Sequence, residues 1–179
     1  MAHIDLGNDI PGIRGLFAYR PDTGAVLSDL GEALLRGDST LSRGERELIA
    51  TYVSHLNECR YCSRSHGACA AAQLEGGPGQ VEATLADPAE APVSARLKAL
   101  LAIAARVQEN GRAVTDKDIA AARAEGATDR EIHDAVLIAA AFCMFNRYVD
   151  GLAALTPDDP AYYAATGARL AERGYAPPR

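Results

Sequence analysis

The chain has 179 residues, a formal net charge of −6, and a composition that is 48% apolar and 23% charged. That length suits one domain with a sizeable core, and the abundance of Ala beside few β-branched and aromatic residues favours helix. Basic residues are scattered, with no Lys/Arg cluster and no basic stripe interleaved with aromatics, which argues against a nucleic-acid partner.

In chain order, the N-terminal Met-Ala-His-Ile-Asp-Leu-Gly-Asn-Asp lacks a basic segment followed by an apolar one, so no signal peptide is expected. Residues 1–20, with Gly7, Pro11, Gly12 and Gly15, read as an irregular lead-in. Apolar positions Val26, Leu27, Leu30, Leu34 and Leu35 predict a helix from Asp22 to Arg36. Ser42-x-x-Glu45 is a capping box that starts the next helix, which runs to Leu56 with Leu48, Ile49, Tyr52 and Val53 on its apolar face. After a break at Asn57-Glu58, a helix is expected from Cys59 to Leu74, stopped by Gly76-Gly77-Pro78-Gly79. A short helix over 79–86, a Pro-containing linker and a helix from Val93 to Asn110 follow. Thr115 caps another short helix that ends near Gly126. Thr128-x-x-Glu131 is a second capping box and opens the longest helix, Asp129 to Leu155, apolar almost all round in its middle and therefore buried centrally or at a subunit interface. Its longest apolar run, Ala135 to Phe145, is too short to span a bilayer, so no membrane partner is expected. Residues 157–179 read as a tail, with a helix at 160–172 and a loose Ala-Pro-Pro-Arg end. The expected location is the cytoplasm, where cysteines stay reduced and a close pair points to redox work or a metal rather than a staple.

The chemistry is concentrated in Glu47-x11-Cys59-Arg-Tyr61-Cys62-x3-His66-x2-Cys69. On a helix, Cys59, Cys62, His66 and Cys69 fall within about 80° of one another and form one stripe. Strung along a helix they span roughly 15 Å, too far to converge on one zinc ion, and Ser63, Ala68, Ala70 and Ala71 favour helix over a knuckle loop. A structural zinc site is therefore the weaker alternative, and an iron–sulfur cluster weaker still. Two cysteines three apart at a helix start can close a disulfide with little backbone change. The helix N-terminus favours a Cys59 thiolate, whereas His66, one turn beyond Cys62, can take the Cys62 proton. The direct histidine contact decides for Cys62 as the attacking thiolate, with Cys59 as the more exposed resolving partner. Glu47, on the preceding helix, orients His66 or relays a proton if the two helices pack as a hairpin, and is a solvated surface residue if they do not.

Glu47, Cys59, Cys62 and His66 at these spacings resemble the alkylhydroperoxidase D-like family of the carboxymuconolactone decarboxylase superfamily. Phe145-Asn146-Arg147-Tyr148-x-x-Gly151-Leu152 is similar to the matching helix of its peroxidase-related subgroup. The resemblance implies an all-α compact multi-helix bundle, residues 1–179 forming a single domain, and a homo-oligomer from dimer to hexamer. It further implies a thiol-dependent peroxidase acting on alkyl or organic hydroperoxides, with Cys62 peroxidatic, Cys59 resolving, Glu47 and His66 as proton relay, and a dithiol or thioredoxin-like reductant. No cofactor and no metal are expected. Tyr61 stands where the best-defined members carry a histidine; because Tyr titrates near pH 10 it is a poor relay, which keeps a non-enzymatic redox-responsive binding or assembly module as the alternative. Elsewhere, Cys69 and Cys143 read as core, His133 as structural or surface, His55 as a neighbour of the motif, and Arg147 as a partner for Glu47 or an interface acid.

Overall fold

The computed structural model describes residues 2–175, and all regular structure among them is helical. The elements are α1 (Ile13–Tyr19), α2 (Pro21–Arg36), α3 (Arg43–Leu56), α4 (Arg60–Ala71), α5 (Gly77–Ala86), α6 (Ala95–Glu109), a single 3-10 turn (Gly111–Ala113), α7 (Asp116–Ala124), α8 (Asp129–Gly151) and α9 (Pro160–Arg173). The all-α expectation is met. The Ala-Pro-Pro-Arg end lies outside the described residues.

Local chemistry explains the helix starts. Ser42 and Thr128 each accept from the backbone N–H three residues on, while Glu45 and Glu131 reach back to the cap N–H, completing both expected boxes. Arg96 of α6 then bridges the two glutamates, at 3.1 Å from Glu45 and 2.8 Å from Glu131, and so ties the N-termini of α3 and α8 to α6. Glu58 takes a positive φ of 57° between α3 and α4, which makes the expected break a sharp reversal.

α3 and α4 pack as an antiparallel hairpin, with α9 across α4 and with α8 and α6 behind α3. Leu48, Ile49 and Val53 of α3, Leu100, Leu101 and Ile103 of α6, and Ile138 and Phe142 of α8 make the main core. α8 is long and apolar enough to cross a membrane by length and composition, yet 56% of its most apolar window is buried here against the other helices. A smaller apolar cluster holds Leu16, Cys59, Tyr61, Cys62, Val149 and Tyr163 around the cysteine motif.

Several boundaries differ from expectation. The lead-in contains α1: Gly12, at φ 61°, turns the chain so that its N–H reaches the Leu155 carbonyl at 2.8 Å, and Leu16 is then fully buried. Glycines read as breakers in sequence thus serve here as a helix entrance. α4 ends at Ala71 rather than Leu74, and α8 at Gly151 rather than Leu155, where Ala153 adopts φ 48°.

The α4–α9 crossing depends on Gly167, because a Cβ there would lie 2.5 Å from the Ala68 backbone. Gly167→Ala is expected to lower unfolding stability by about 1–3 kcal/mol, the usual range for overpacking. Urea denaturation checks it, and an unchanged midpoint would contradict the packing described.

Candidate active site

The capping residue of α4 is Cys59, not a residue within the helix, and Cys62 stands in the first turn. There the thiol meets the positive end of the helix dipole, which favours a thiolate. The hairpin brings Glu47 of α3 beneath His66 of α4, with Glu47 Oε2 2.8 Å from His66 Nδ1. Glu47 is therefore not a solvated surface residue: its side chain is 1% exposed. With Nδ1 engaged by the carboxylate, the nitrogen left for chemistry is Nε2. The imidazole stands edge-on to Phe142, with ring centroids 4.6 Å apart, which fixes its plane.

The two motif thiols are hydrogen-bonded to each other, and their acidities are pushed apart. Cys62 is lowered, first by the hydrogen bond that Cys59 donates and then by the charge of His66 and a hydrogen bond from Asn146, all working against burial. Cys59 is raised, because its proton is held by Cys62 and because it is buried. Asp150 of α8 accepts from Cys59, and burial raises its own carboxyl. The electrostatics therefore favour Cys62 as the thiolate.

Removing the Cys59 donor should reverse part of that effect. In Cys59→Ala the pH midpoint for alkylation of Cys62 is expected to move up toward the ordinary thiol value of about 8.5, whereas Cys59→Ser, which keeps a hydroxyl donor, moves it less. Mass spectrometry of the Cys62 peptide after timed alkylation reads this, and equal midpoints in all three proteins would refute it.

One expectation is corrected. Cys59 is not the more exposed thiol: it has 0% exposure, against 4% for Cys62. The C-terminal part of α8 and the following turn, through Val149 and Ala154, cover it. Cys62 is the thiol that opens onto a cavity of about 610 Å³, together with Ser65 and His66. The cavity lies between α1, α2, α4, α8 and α9, with Phe17, Leu27, Leu35, Phe142 and Phe145 among its walls.

The other expectations sort as follows. Among the described residues no three His, Cys, Asp or Glu side chains are grouped so as to hold a metal ion. Tyr61 is buried beside the cavity, its hydroxyl 3.3 Å from that of Tyr162, and burial raises its pKa further, so it stays neutral. His55 is exposed and outside the site, and His133 is 69% exposed beside Asp134. Cys143 is core. Arg147 donates to the Cys143 carbonyl at 3.0 Å instead of reaching Glu47. Cys69 is buried near the Glu47 charge; burial first and that charge second raise its pKa, which suits an inert thiol.

Two further residues belong to the site. Asn146 is 1% exposed and binds Ser54 and Asn57 as well as Cys62. Tyr175, beyond α9, donates a short hydrogen bond to Glu47 Oε1, lies 3.2 Å from His66 Nδ1, and stacks on the imidazole with the rings 14° apart. It is held there by Glu32, which accepts from its backbone N–H at 2.7 Å, and by Ser28, which donates to its carbonyl at 2.6 Å. Both carboxylate oxygens of Glu47 are thus occupied, one by His66 and one by Tyr175.

Comparison with known proteins fits this arrangement. The profile of the carboxymuconolactone decarboxylase family matches residues 21–106, a span that includes Glu47, both motif cysteines and His66. The chain is 30% identical to a solved uncharacterized peroxidase-related protein from Silicibacter sp. TM1040, covering 88% of this chain and 81% of that one with a TM-score of 0.77. It belongs to the alkylhydroperoxidase D-like branch of the carboxymuconolactone decarboxylase family. A second similar structure, from Ralstonia eutropha JMP134, is described as an alkylhydroperoxidase AhpD core and a peroxidase-related protein; it is 28% identical over 88% of this chain and 81% of that one, with a TM-score of 0.78. No curated protein matches the chain. Within the branch, the helical hairpin that carries the cysteine pair is the part of the fold that this site uses.

Proposed function

We propose that the protein is a thiol-dependent peroxidase that reduces organic hydroperoxides through Cys62 and Cys59. The observation that carries the reading is the opposite perturbation of the two thiols: Cys62 lowered beside His66 at the cavity, Cys59 raised behind it.

The Cys62 thiolate attacks the terminal peroxide oxygen, the O–O bond breaks, and a proton from His66 goes to the leaving alkoxide. The products are a Cys62 sulfenic acid and an alcohol. Glu47 holds Nδ1 and balances the charge of the imidazolium, while Tyr175 fixes Glu47. The Cys59 sulfur then displaces hydroxide from the sulfenic acid and forms the disulfide, and the Cys59 proton, accepted first by Asp150, ends on the departing hydroxide as water. A dithiol or thioredoxin-like reductant returns two electrons and two protons by exchange. No cofactor enters this cycle. A reducing cytoplasm is the compartment that would keep the pair cycling. A homo-oligomer is also part of the proposal: Leu137, Ala140 and Met144 make an exposed apolar stripe along α8, a face suited to a second copy.

Steady-state consumption of cumene hydroperoxide with excess dithiothreitol tests the reading. Many turnovers per protein molecule are expected. Oxidation of the pair once, without turnover, would favour the second reading, a redox-responsive binding module, for which the neutral Tyr61 in place of the family's histidine speaks.

A further inference from the structure

The cavity above Cys62 has a charge character that the peroxidase chemistry does not use. Arg14 of α1 and Arg169 and Arg173 of α9 line it, and no Asp or Glu does among the described residues. Arg173 is exposed and has Glu172 3.5 Å away. Arg169 differs. It is half-buried, one helical turn from Thr166 and Arg173 on the cavity-facing side of α9, and no carboxylate or carbonyl among the described residues pairs with it. Burial first, and the neighbouring Arg14 second, lower its pKa. A guanidinium placed partly out of water, beside another guanidinium and with no counter-ion among the described residues, favours the arrival of something anionic. Its planar fork matches a carboxylate in a bidentate fashion. The cavity also has apolar walls, from Phe17, Leu27, Leu35 and Phe145, beside the polar Ser28, Ser65 and Thr166.

Resting on the peroxidase reading, we propose that the cavity selects amphipathic hydroperoxides that carry a carboxylate, with Arg169, assisted by Arg14, holding the carboxylate while the apolar body fills the space toward Cys62. The cavity volume of about 610 Å³ is within the range of small-molecule sites, roughly 300–1,000 Å³. The chemistry of reduction is unchanged: the peroxide oxygen reaches Cys62, and the remote anion supplies binding and orientation.

The test compares cumene hydroperoxide with its para-carboxylate in stopped-flow oxidation of the reduced protein. The carboxylate is expected to react about ten- to hundredfold faster, as suits a charged hydrogen-bonded pair. In Arg169→Gln the ratio of the two rate constants falls toward one, in Arg14→Gln it falls less, and Arg169→Lys retains part of it. A ratio near one in the parent protein, or an undiminished ratio in Arg169→Gln, overturns the proposal. A second measurement does not depend on peroxidase activity: calorimetric binding of 4-isopropylbenzoate against 4-isopropylbenzamide. Preference for the benzoate that is lost in Arg169→Gln supports the anion site even if neither hydroperoxide oxidises Cys62, in which case the peroxidase reading alone fails. Equal or absent binding of both overturns the anion site even if turnover is fast.

Discussion

Cys62→Ser is expected to abolish the reaction with organic hydroperoxides, lowering the second-order rate constant by about three orders of magnitude or more, as loss of a nucleophile usually does. The expectation follows from how unlike the cysteines are. Cys69 and Cys59 are raised in pKa and buried, and Cys143 sits in the core, so none replaces a thiolate at the cavity. A serine hydroxyl is far less acidic than a thiol and has no lowered state to offer. Because Cys62 is 4% exposed and a serine is smaller by little, the fold should survive, which circular dichroism would check. Cys59→Ser gives the complementary result: oxidation of Cys62 proceeds, but the sulfenic acid accumulates because no resolving thiol is present. Dimedone labelling read by mass spectrometry distinguishes the two variants, and label on Cys59 in place of Cys62 would invert the assignment.

Glu47→Gln is expected to slow the same step by about a hundredfold, at the lower end of what positioned proton transfer contributes. Gln keeps the volume and one hydrogen bond to His66, so the loss isolates charge. The ionised carboxylate accepts from His66 Nδ1 and presents Nε2 toward the reaction; a neutral amide neither fixes that tautomer nor balances the imidazolium. The Cys62 thiolate should suffer as well. His66 stabilises it by charge, and Glu47→Gln removes the carboxylate that holds His66 in place. The sign is definite: a group whose acidity is enhanced by a cation loses that enhancement when the cation is no longer held beside it, so the thiolate appears at higher pH. Rate against pH for the two proteins should therefore show a lower plateau and a midpoint moved upward in Glu47→Gln. An unchanged profile would leave Glu47 with a packing role only.

Much of this site was legible because its parts are local. Capping boxes at Ser42 and Thr128 write helix starts into four residues each, and both form as read. Cys62 and His66 share a helix face by spacing alone, and a hairpin of adjacent helices suffices to deliver Glu47. What escaped depends on distant segments. Cys59 looks exposed as a helix-start residue until α8, almost a hundred positions on, covers it. Tyr175 follows Gly174 in a tail with no periodicity, and only its contacts with Ser28, Glu32 and Glu47 give it meaning. Asn146 was within a recognised stretch, but its role required knowing that α8 passes the start of α4. The short helix at Ile13–Tyr19 escaped for the opposite reason: Pro11, Gly12 and Gly15 carry a strong local signal for irregularity, and the need for Gly12 arises from the Tyr61 ring, 2.0 Å from where a Cβ would stand.

In the proposed cycle Cys59 and Cys62 form one two-electron couple driven by peroxide. The most direct measurement is to add one equivalent of cumene hydroperoxide to reduced protein, quench with alkylating agent at timed intervals, and map the cysteines by mass spectrometry. An intramolecular disulfide between Cys59 and Cys62 is expected to form far faster than a free thiol reacts, while Cys69 and Cys143 remain alkylatable after unfolding. Oxidation spread over all the cysteines, or no faster than that of glutathione, would contradict it.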